Sequence, residues 1–402
     1  MPTKTGSTVH IGLLYHSLNS ENLGVGAFTV ANIALLGEAV ERHGGSPVFH
    51  IIGARGGKDY TDTSPWPVDF TNVGLKSLLK PWSDLHRTMK RCDAFFDIAG
   101  GDSFTDIYGP KRFSLIVGAR LLASTKDKPF VMSPQTIGPF SSAWGRLGAK
   151  MALERADRIF ARDAMSFAAL EQFGMERKSQ LTTDLAFLLP FDSTPKKSSE
   201  QYSRGDWDVG LNVSGLLFRN AGNADGRIRL KLDYASFTRK LIEKILADPR
   251  TGRLHLIPHV LAPALPGDDD GAVADLLKRE YPELIIAPDF HSPSAAKSYI
   301  ATMDLLLGAR MHATIAAVSS DTAVLPLAYS RKFNGLYGSL NYPYLVDMVN
   351  EDETAALERL TQVMDDLPAI AEASANSNAL AREQLRTYTD FIDRFAADLV
   401  QS

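Results

Sequence analysis

One cysteine, Cys92, is all the sequence holds in 402 residues, so no disulfide can form within the chain and a reducing, cytosolic setting fits best. Cys92 lies in MKRCDAFF ahead of an apolar run, which points to buried packing rather than reactivity. Excess charge of one sign is also missing: 43 basic residues face 47 acidic ones, a net of −4. That balance argues against a nucleic-acid partner or any broad polyanion surface, and it confines an anion site to a local pocket. No stretch approaches the roughly 18 apolar residues that span a bilayer. The segment MPTKTGSTVHIGLLYH shows no signal-peptide pattern. A soluble, cytoplasmic protein is expected, with peripheral contact at the inner face of a membrane left open. There is no Walker A loop, no G-x-S-x-G elbow and no H-E-x-x-H. Solenoid-type repeats and low-complexity tracts are absent too.

What is present is an ordinary globular complement of apolar residues, 45% of the chain, arranged as short apolar runs between helical stretches. Residues 10–15, 47–52, 94–98, 130–132 and 158–161 read as strands, with helices at 27–43, 82–91, 111–124 and 143–156 between them. The glycines, aspartates, prolines and tryptophan of 53–67 read as an exposed loop. Such alternation argues for parallel βαβ units. It places a first domain at 1–190. The polar stretch FDSTPKKSSEQYSRGD, 191–206, has no periodic apolar face and reads as a linker. The alternation restarts with strands at 209–213, 254–257, 284–287, 304–307 and 324–328, giving a second domain at 207–350. Residues 351–402 are helical by composition. The expected fold class is α/β and GT-B-like: two Rossmann-like, doubly wound domains facing an interdomain cleft, with C-terminal helices.

In open parallel sheets, ligands bind beyond the carboxyl ends of the strands. The stretch 304–333 places Arg310 and His312 just past one such end, and Arg331 and Lys332 past the next. Three cations and an imidazole there suit a small ligand with more than one negative charge. His312, in a first helical turn, faces the positive end of the helix dipole, which favours the neutral imidazole. That suits a proton acceptor, whereas a bound dianion beside it would suit a donor. The bland alternative is a surface arginine and a capping histidine. In the first domain, Asn22, Gly24 and Gly26 form a strand-to-helix turn where an anion could approach the backbone, although the third glycine of a dinucleotide fingerprint is missing. Gly100 and Gly101 would allow a close approach as well. Asp102 and Asp106 could hold a sugar hydroxyl or act as a base, and Asp102 could equally be a turn residue. Gln135 sits in a proline-bounded loop and can donate and accept hydrogen bonds. Arg162 fits either an anion clamp or an ion pair with Asp163 or Asp184. His255 and His259, four apart around a strand at 254–260, share one face but lack a third ligand. No metal is expected, and His259 is placed in the ligand-lining set. Asp268, Asp269 and Asp270 read as a solvated helix start.

Taken together, NLGVGA at 22–27, GGDSFTD at 100–106, PQTIGPF at 134–140, ARDAMS at 161–166, TDLAFLL at 183–189, ARMH at 309–312 and YSRK at 329–332 resemble the polysaccharide pyruvyl transferase family, in the family's order. The resemblance implies a GT-B-like fold and transfer of pyruvate from phosphoenolpyruvate (PEP) to a saccharide as a cyclic ketal, with PEP as donor and no cofactor. It places Arg310, His312, Lys332 and Arg162 at the donor, with Arg331 in support. The acceptor could be lipid-linked. Many members carry Asn-x-Gly-Asp where this chain has Asn22-Leu23-Gly24-Val25. The acidic residue of that turn is therefore lost, and Asp102 and Asp106 are the nearest replacements. An ordinary glycosyltransferase using a nucleotide-sugar donor, or a non-catalytic saccharide-binding homologue, are the alternatives.

Overall fold

The computed structural model describes residues 7–125, 127–219, 228–262 and 266–401. Two compact units emerge. The first holds Val25–Leu185 with the chain before Glu21 and after Arg382, and the second holds Glu21–Gly24 and Ala186–Arg382.

The first unit runs β1 (Thr8–Leu14), α1 (Leu23–Arg42), β2 (Ser46–Gly53), β3 (Val68–Asn72), α2 (Leu75–Leu79), α3 (Asp84–Arg91), β4 (Ala94–Asp97), α4 (Pro110–Ser124), β5 (Phe130–Gln135), α5 (Ala143–Glu154), β6 (Arg158–Ala161), α6 (Ala164–Gln172) and β7 (Ser179–Leu181). Its strands form one parallel sheet in the order β3-β2-β1-β4-β5-β6-β7. Every residue of β4 and β5 is buried. That is why these strands read as continuous apolar runs rather than alternating ones: helices cover both faces of a parallel sheet.

The second unit continues with α7 (Ser199–Ser203), β8 (Trp207–Asn212), α8 (Gly215–Arg219), α9 (Tyr234–Ala247), β9 (Thr251–Leu256), α10 (Asp270–Glu280), β10 (Ile285–Ile286), α11 (Pro293–Ala301), β11 (Leu305–Gly308), α12 (Met311–Val318), β12 (Ala323–Ala328), α13 (Arg331–Ser339), β13 (Val346–Asp347), α14 (Glu353–Asp365) and α15 (Leu367–Gln401). Its parallel sheet has the order β10-β9-β8-β11-β12-β13. In each sheet the chain reverses its direction of travel once, between β1 and β4 and between β8 and β11. At such a switch point two neighbouring connections diverge and leave a crevice at the carboxyl edge.

Several boundaries differ from the expected ones, each for a local reason. Helix α1 begins at Leu23, not near 27, because the Asn22 side chain accepts the Gly24 N–H at 2.9 Å and starts the first turn there. By length and composition α1 would also serve as a membrane span, against the expectation that no such stretch exists; here it is mostly buried as a core helix. Strand β5 runs on to Gln135 through Pro134, with a register shift between Met132 and Gln135 that absorbs the missing N–H. The short strands β7 and β13 escaped notice because a triplet and a pair of residues carry no period, and β3, VDFTN, because only Thr71 of its five residues is buried. The polar stretch 191–206 is fastened to the second unit. Lys196 Nζ donates to the Ala301 carbonyl, Lys197 pairs with Asp304, and the Trp207 indole N–H bonds the Tyr202 carbonyl.

The last turns of α15 belong to the first unit. Tyr388 and Phe391 pack on Phe160, and Phe395 packs on Phe96. The Tyr388 hydroxyl bonds Asn32 Oδ1 (2.7 Å) and Ser133 Oγ (2.9 Å), and Asn32 in turn faces the ring nitrogen of His16 at 2.9 Å. Because all of these groups are buried, Tyr388→Phe is expected to lower unfolding stability by about 1–3 kcal/mol while leaving the fold intact. Urea titration of the two proteins measures this.

Candidate active site

At the switch point of the second sheet, Asn212 ends β8 opposite Gly308 of β11. Its carboxamide joins three strand ends. Oδ1 accepts the Arg310 N–H at 2.8 Å, and Nδ2 donates to the Ile257 carbonyl, beyond β9, at 2.9 Å. Arg310 is the N-cap residue of α12, and its guanidinium turns back to the first residue of α10. Nη2 reaches Asp270 Oδ1 at 2.7 Å, and Nε shares both carboxylate oxygens. Nη2 also engages Asp268 through its carbonyl and its carboxylate. Asp270 is 1% exposed and further accepts N–H groups from Gly215, His259 and Val260. Burial opposes a charged Arg310, but Asp270 and Asp268 outweigh it and move the guanidinium pKa up. Arg310 is therefore held by two carboxylates of its own unit through Nε and Nη2. The triplet read as solvated resolves into three roles: Asp269 caps α10, Asp268 is part-exposed, and Asp270 is a core group.

His312 lies two residues on, in the first turn of α12. Its imidazole rests against the backbone of Gly24, where a Cβ would stand 2.2 Å from Nδ1. Position 24 thus admits hydrogen and nothing larger. The segment around it is stitched to the end of β9: Asn22 bridges Val260 antiparallel, the Leu23 N–H bonds the His259 carbonyl, and the Leu261 N–H bonds the Glu21 carbonyl. The turn assigned from sequence to the first domain thus packs with the second. Gly26 lies inside α1 and is buried. His259 completes the group. Burial, with Arg310 and His312 close by, drops its pKa to about 3 and keeps the ring neutral. It stands outside β9, so it shares no strand face with His255, which bonds the Tyr299 hydroxyl and Asp208. Among the described residues, no three His, Cys, Asp or Glu side chains are grouped to hold a metal ion. Arg331 and Lys332 open α13 past the end of the neighbouring strand β12, and both are exposed.

The residues picked in the first unit fare differently. Gln135 is fully buried: its amide donates to the carbonyls of Asp97 and Ser133, and its oxygen accepts from Arg120. It is a core group, not a loop ligand. Gly100 and Gly101 have φ of 64° and 90°, the left-handed region that a side chain resists. Their N–H groups already bond the carbonyls of Tyr15 and Ile98, so the glycines shape a turn instead of offering donors. Burial works against a charged Asp106, yet hydrogen bonds from Ser142 and Ser141 prevail and hold its pKa at about 2. It latches the start of α5 and makes a poor base. Asp102 is part-exposed and accepts from the Tyr108 hydroxyl at 3.1 Å. Arg162 is 6% exposed, bonded to Asp184 at 3.2 Å, with its guanidinium over the Phe28 ring. The ion pair accounts for its burial.

One ion pair and one carboxamide carried signals that pattern alone does not single out. Asp97 and Arg120 form a buried ion pair at the first sheet's own switch point, roofed by Phe104 at 3.7 Å. Burial pushes the Asp97 carboxyl up and the Arg120 guanidinium down, each against its partner's charge. An aspartate closing an apolar strand and an arginine on the apolar face of a helix were the available signals. Asn212 gave a similar one, a polar residue ending the apolar run VGL.

Two parallel sheets of Rossmann type, each with a polar cluster at its switch point, define a fold of the GT-B class. Residues 38–331, more than half of the chain, match the model of the family described as polysaccharide pyruvyl transferase. The chain belongs to the polysaccharide pyruvyl transferase family. It is 21% identical over 318 residues to the amylovoran biosynthesis protein AmsJ of Erwinia amylovora, covering 77% of this chain and 73% of AmsJ. Among solved structures it is similar to a putative UDP-N-acetylglucosamine 2-epimerase from Listeria monocytogenes, with a TM-score of 0.57, 12% identity and 97% of both chains covered. It also resembles Anabaena HepE in complex with UDP and glucose, with a TM-score of 0.57, 14% identity, and 98% of this chain and 99% of HepE covered. At such identity these likenesses establish the fold.

Three outcomes follow from the geometry. Gly24→Ala is expected to displace the His312 ring and cost about 1–3 kcal/mol by overpacking. The shift of the His312 imidazole NMR signals reports the first effect, and a thermal melt the second. Asp270→Asn leaves Arg310 buried without its full counter-charge and is expected to cost about 3–5 kcal/mol in urea unfolding. For pH, the folded pKa of His259 lies below its unfolded value. The neutral ring's contribution is thus complete above about pH 6.5 and lost as pH falls toward 3, at up to about 1.4 kcal/mol per pH unit. His259→Asn should make the measured fall in stability between pH 6.5 and pH 4 shallower.

Proposed function

We propose that the protein transfers the pyruvyl group of PEP to two hydroxyls of a saccharide, forming a cyclic ketal and releasing phosphate during polysaccharide assembly. Family membership supports the pyruvyl-transfer reading, and the relative named for amylovoran biosynthesis supports a polysaccharide context. The observation that carries the assignment of residues is His312, held against a side-chain-free Gly24 at a strand edge and backed by the fixed Arg310–Asp270 pair. In the scheme, His312 delivers a proton to the PEP methylene carbon, and cationic character develops at the enol carbon. One saccharide hydroxyl bonds to that carbon, the C–O bond to phosphate breaks, and a second hydroxyl closes the ketal. Of the two hydroxyl protons, one restores His312 and the other leaves with phosphate, so the sum is neutral in protons.

Lys332, with Arg331 beside it, meets the phosphate and carboxylate of the donor, since both are exposed cations at the opening of α13. Arg310 acts as a positioning residue: its backbone N–H is fixed by Asn212 and its side chain by Asp270, which sets the start of α12 and so the place of His312. Arg162 likewise positions its own strand end through Asp184. Asp102 is the carboxylate able to replace the one missing at Val25, because Asp106 is engaged by two serines. The scheme needs no resident cofactor. We place the reaction in the cytoplasm, where a lone reduced cysteine fits.

The test is incubation of the protein with PEP and a panel of saccharides, reading phosphate release together with a ketal-sized mass gain by mass spectrometry. Release of a nucleoside diphosphate from a sugar nucleotide in place of phosphate from PEP would instead make it a glycosyltransferase. His312→Ala and Lys332→Ala are each expected to lower kcat on the order of 10²–10³-fold, as for loss of a group that meets developing charge. Near-full turnover by either variant would overturn the assignment of roles.

A further inference from the structure

Helices usually bury their apolar residues, yet three adjoining segments of the first unit leave theirs in solvent. Helix α2 and the turn after it expose Leu75, Leu79 and Trp82, the last at 71%. The loop before α4 exposes Ile107 and Tyr108. Helix α5 exposes Trp144, Leu147 and Met151, whose spacing of three and four puts them on one helical face. These segments form one surface. Leu78 of α2 lies over Gly118 of α4, and Phe113 of α4 stacks edge-on against Trp144 of α5 with ring centres 5.5 Å apart.

The charges carried by these segments are of one sign. Residues 74–82, 107–112 and 143–151 contain Lys76, Lys80, Lys111, Arg112, Arg146 and Lys150 and not one aspartate or glutamate, in a chain whose net charge is −4. All six basic residues are exposed. The carboxylates that border these segments are engaged: Asp106 by Ser141 and Ser142, Asp102 by the Tyr108 hydroxyl, Asp84 by Arg87 and Glu154 by Lys150.

We propose that this face docks on an anionic lipid bilayer. Aromatic and leucine side chains among lysines and arginines match the interface of such a membrane, where apolar groups enter the acyl boundary and cations meet phosphate headgroups. A second copy of the chain fits poorly, because a two-fold contact through this patch would set its six basic residues against the same six, with Glu154 beside Lys150 too little to offset them. Docked in this way, the protein meets acceptors carried on lipid at the membrane surface rather than free in solution.

Flotation of the purified full chain with vesicles of phosphatidylcholine containing about a third phosphatidylglycerol tests the proposal, with pure phosphatidylcholine as control. The protein is expected to float with the anionic vesicles only, and to be released by raised salt. Lys80→Gln and Lys111→Gln should each weaken partition about fivefold, and Trp82→Ser with Leu147→Ser should weaken it further without lowering the melting temperature. Equal partition to both vesicles, no flotation, or variants that float like the parent would each overturn the proposal. So would sedimentation showing a dimer that Trp82→Ser with Leu147→Ser turns into a monomer, since the patch would then be a self-association surface. No donor or acceptor is present in the assay, so its outcome is independent of the reaction proposed above.

Discussion

The candidate site depends on one buried ion pair. Asp270 and Arg310 come from opposite sides of the second sheet's switch point, and neither can be left alone out of water. Satisfying them fixes much else. Five donor groups converge on Asp270, from the loops after β8 and β9 and from the N-cap of α12. The loops that would shape a ligand site are thereby tied to a group that is itself rigid. His312 inherits its position from that arrangement, two residues beyond Arg310 on the same helix start.

The first unit solves the same problem with different parts. There Asp97 ends β4, Arg120 comes from the middle of α4, and Gln135 closes the set from β5. In both sheets a carboxylate and a guanidinium occupy the place where connections diverge, the place least covered by helices and therefore most in need of internal hydrogen bonds. Buried pairs of this kind add little net stability over apolar packing, but removing one member is costly. Their effect is to fix geometry at the two sheet edges.

The alternation of strands and helices was legible because parallel strands buried on both faces announce themselves as apolar runs. Strand β6 at Arg158–Ala161 and the helix start at Ala143 stand where periodicity places them. The position of Arg310 and His312 at a strand-to-helix junction was legible for the same reason. What these side chains do there was not. An arginine at a strand end looks the same in sequence whether it faces solvent or a buried aspartate, and Asp268, Asp269 and Asp270 differ only in the directions α10 assigns them. Gln135 was misplaced because a proline beside it suggests a loop, whereas a register shift lets the strand continue. The turn at Asn22 was assigned by chain order to the first unit, while its hydrogen bonds go to the end of β9. Long-range pairing of this sort leaves no local trace.

Asp268 has a consequence of its own. Its carboxylate is part-exposed and touches the same guanidinium nitrogen that Asp270 holds from the inside. The protein thus carries a tethered anion of its own at the rim, whose concentration at the guanidinium does not fall with dilution as that of a free ion would. One nitrogen of Arg310 is held by an inner and an outer counter-charge together, so the start of α12 is pinned from the core and from the surface at once.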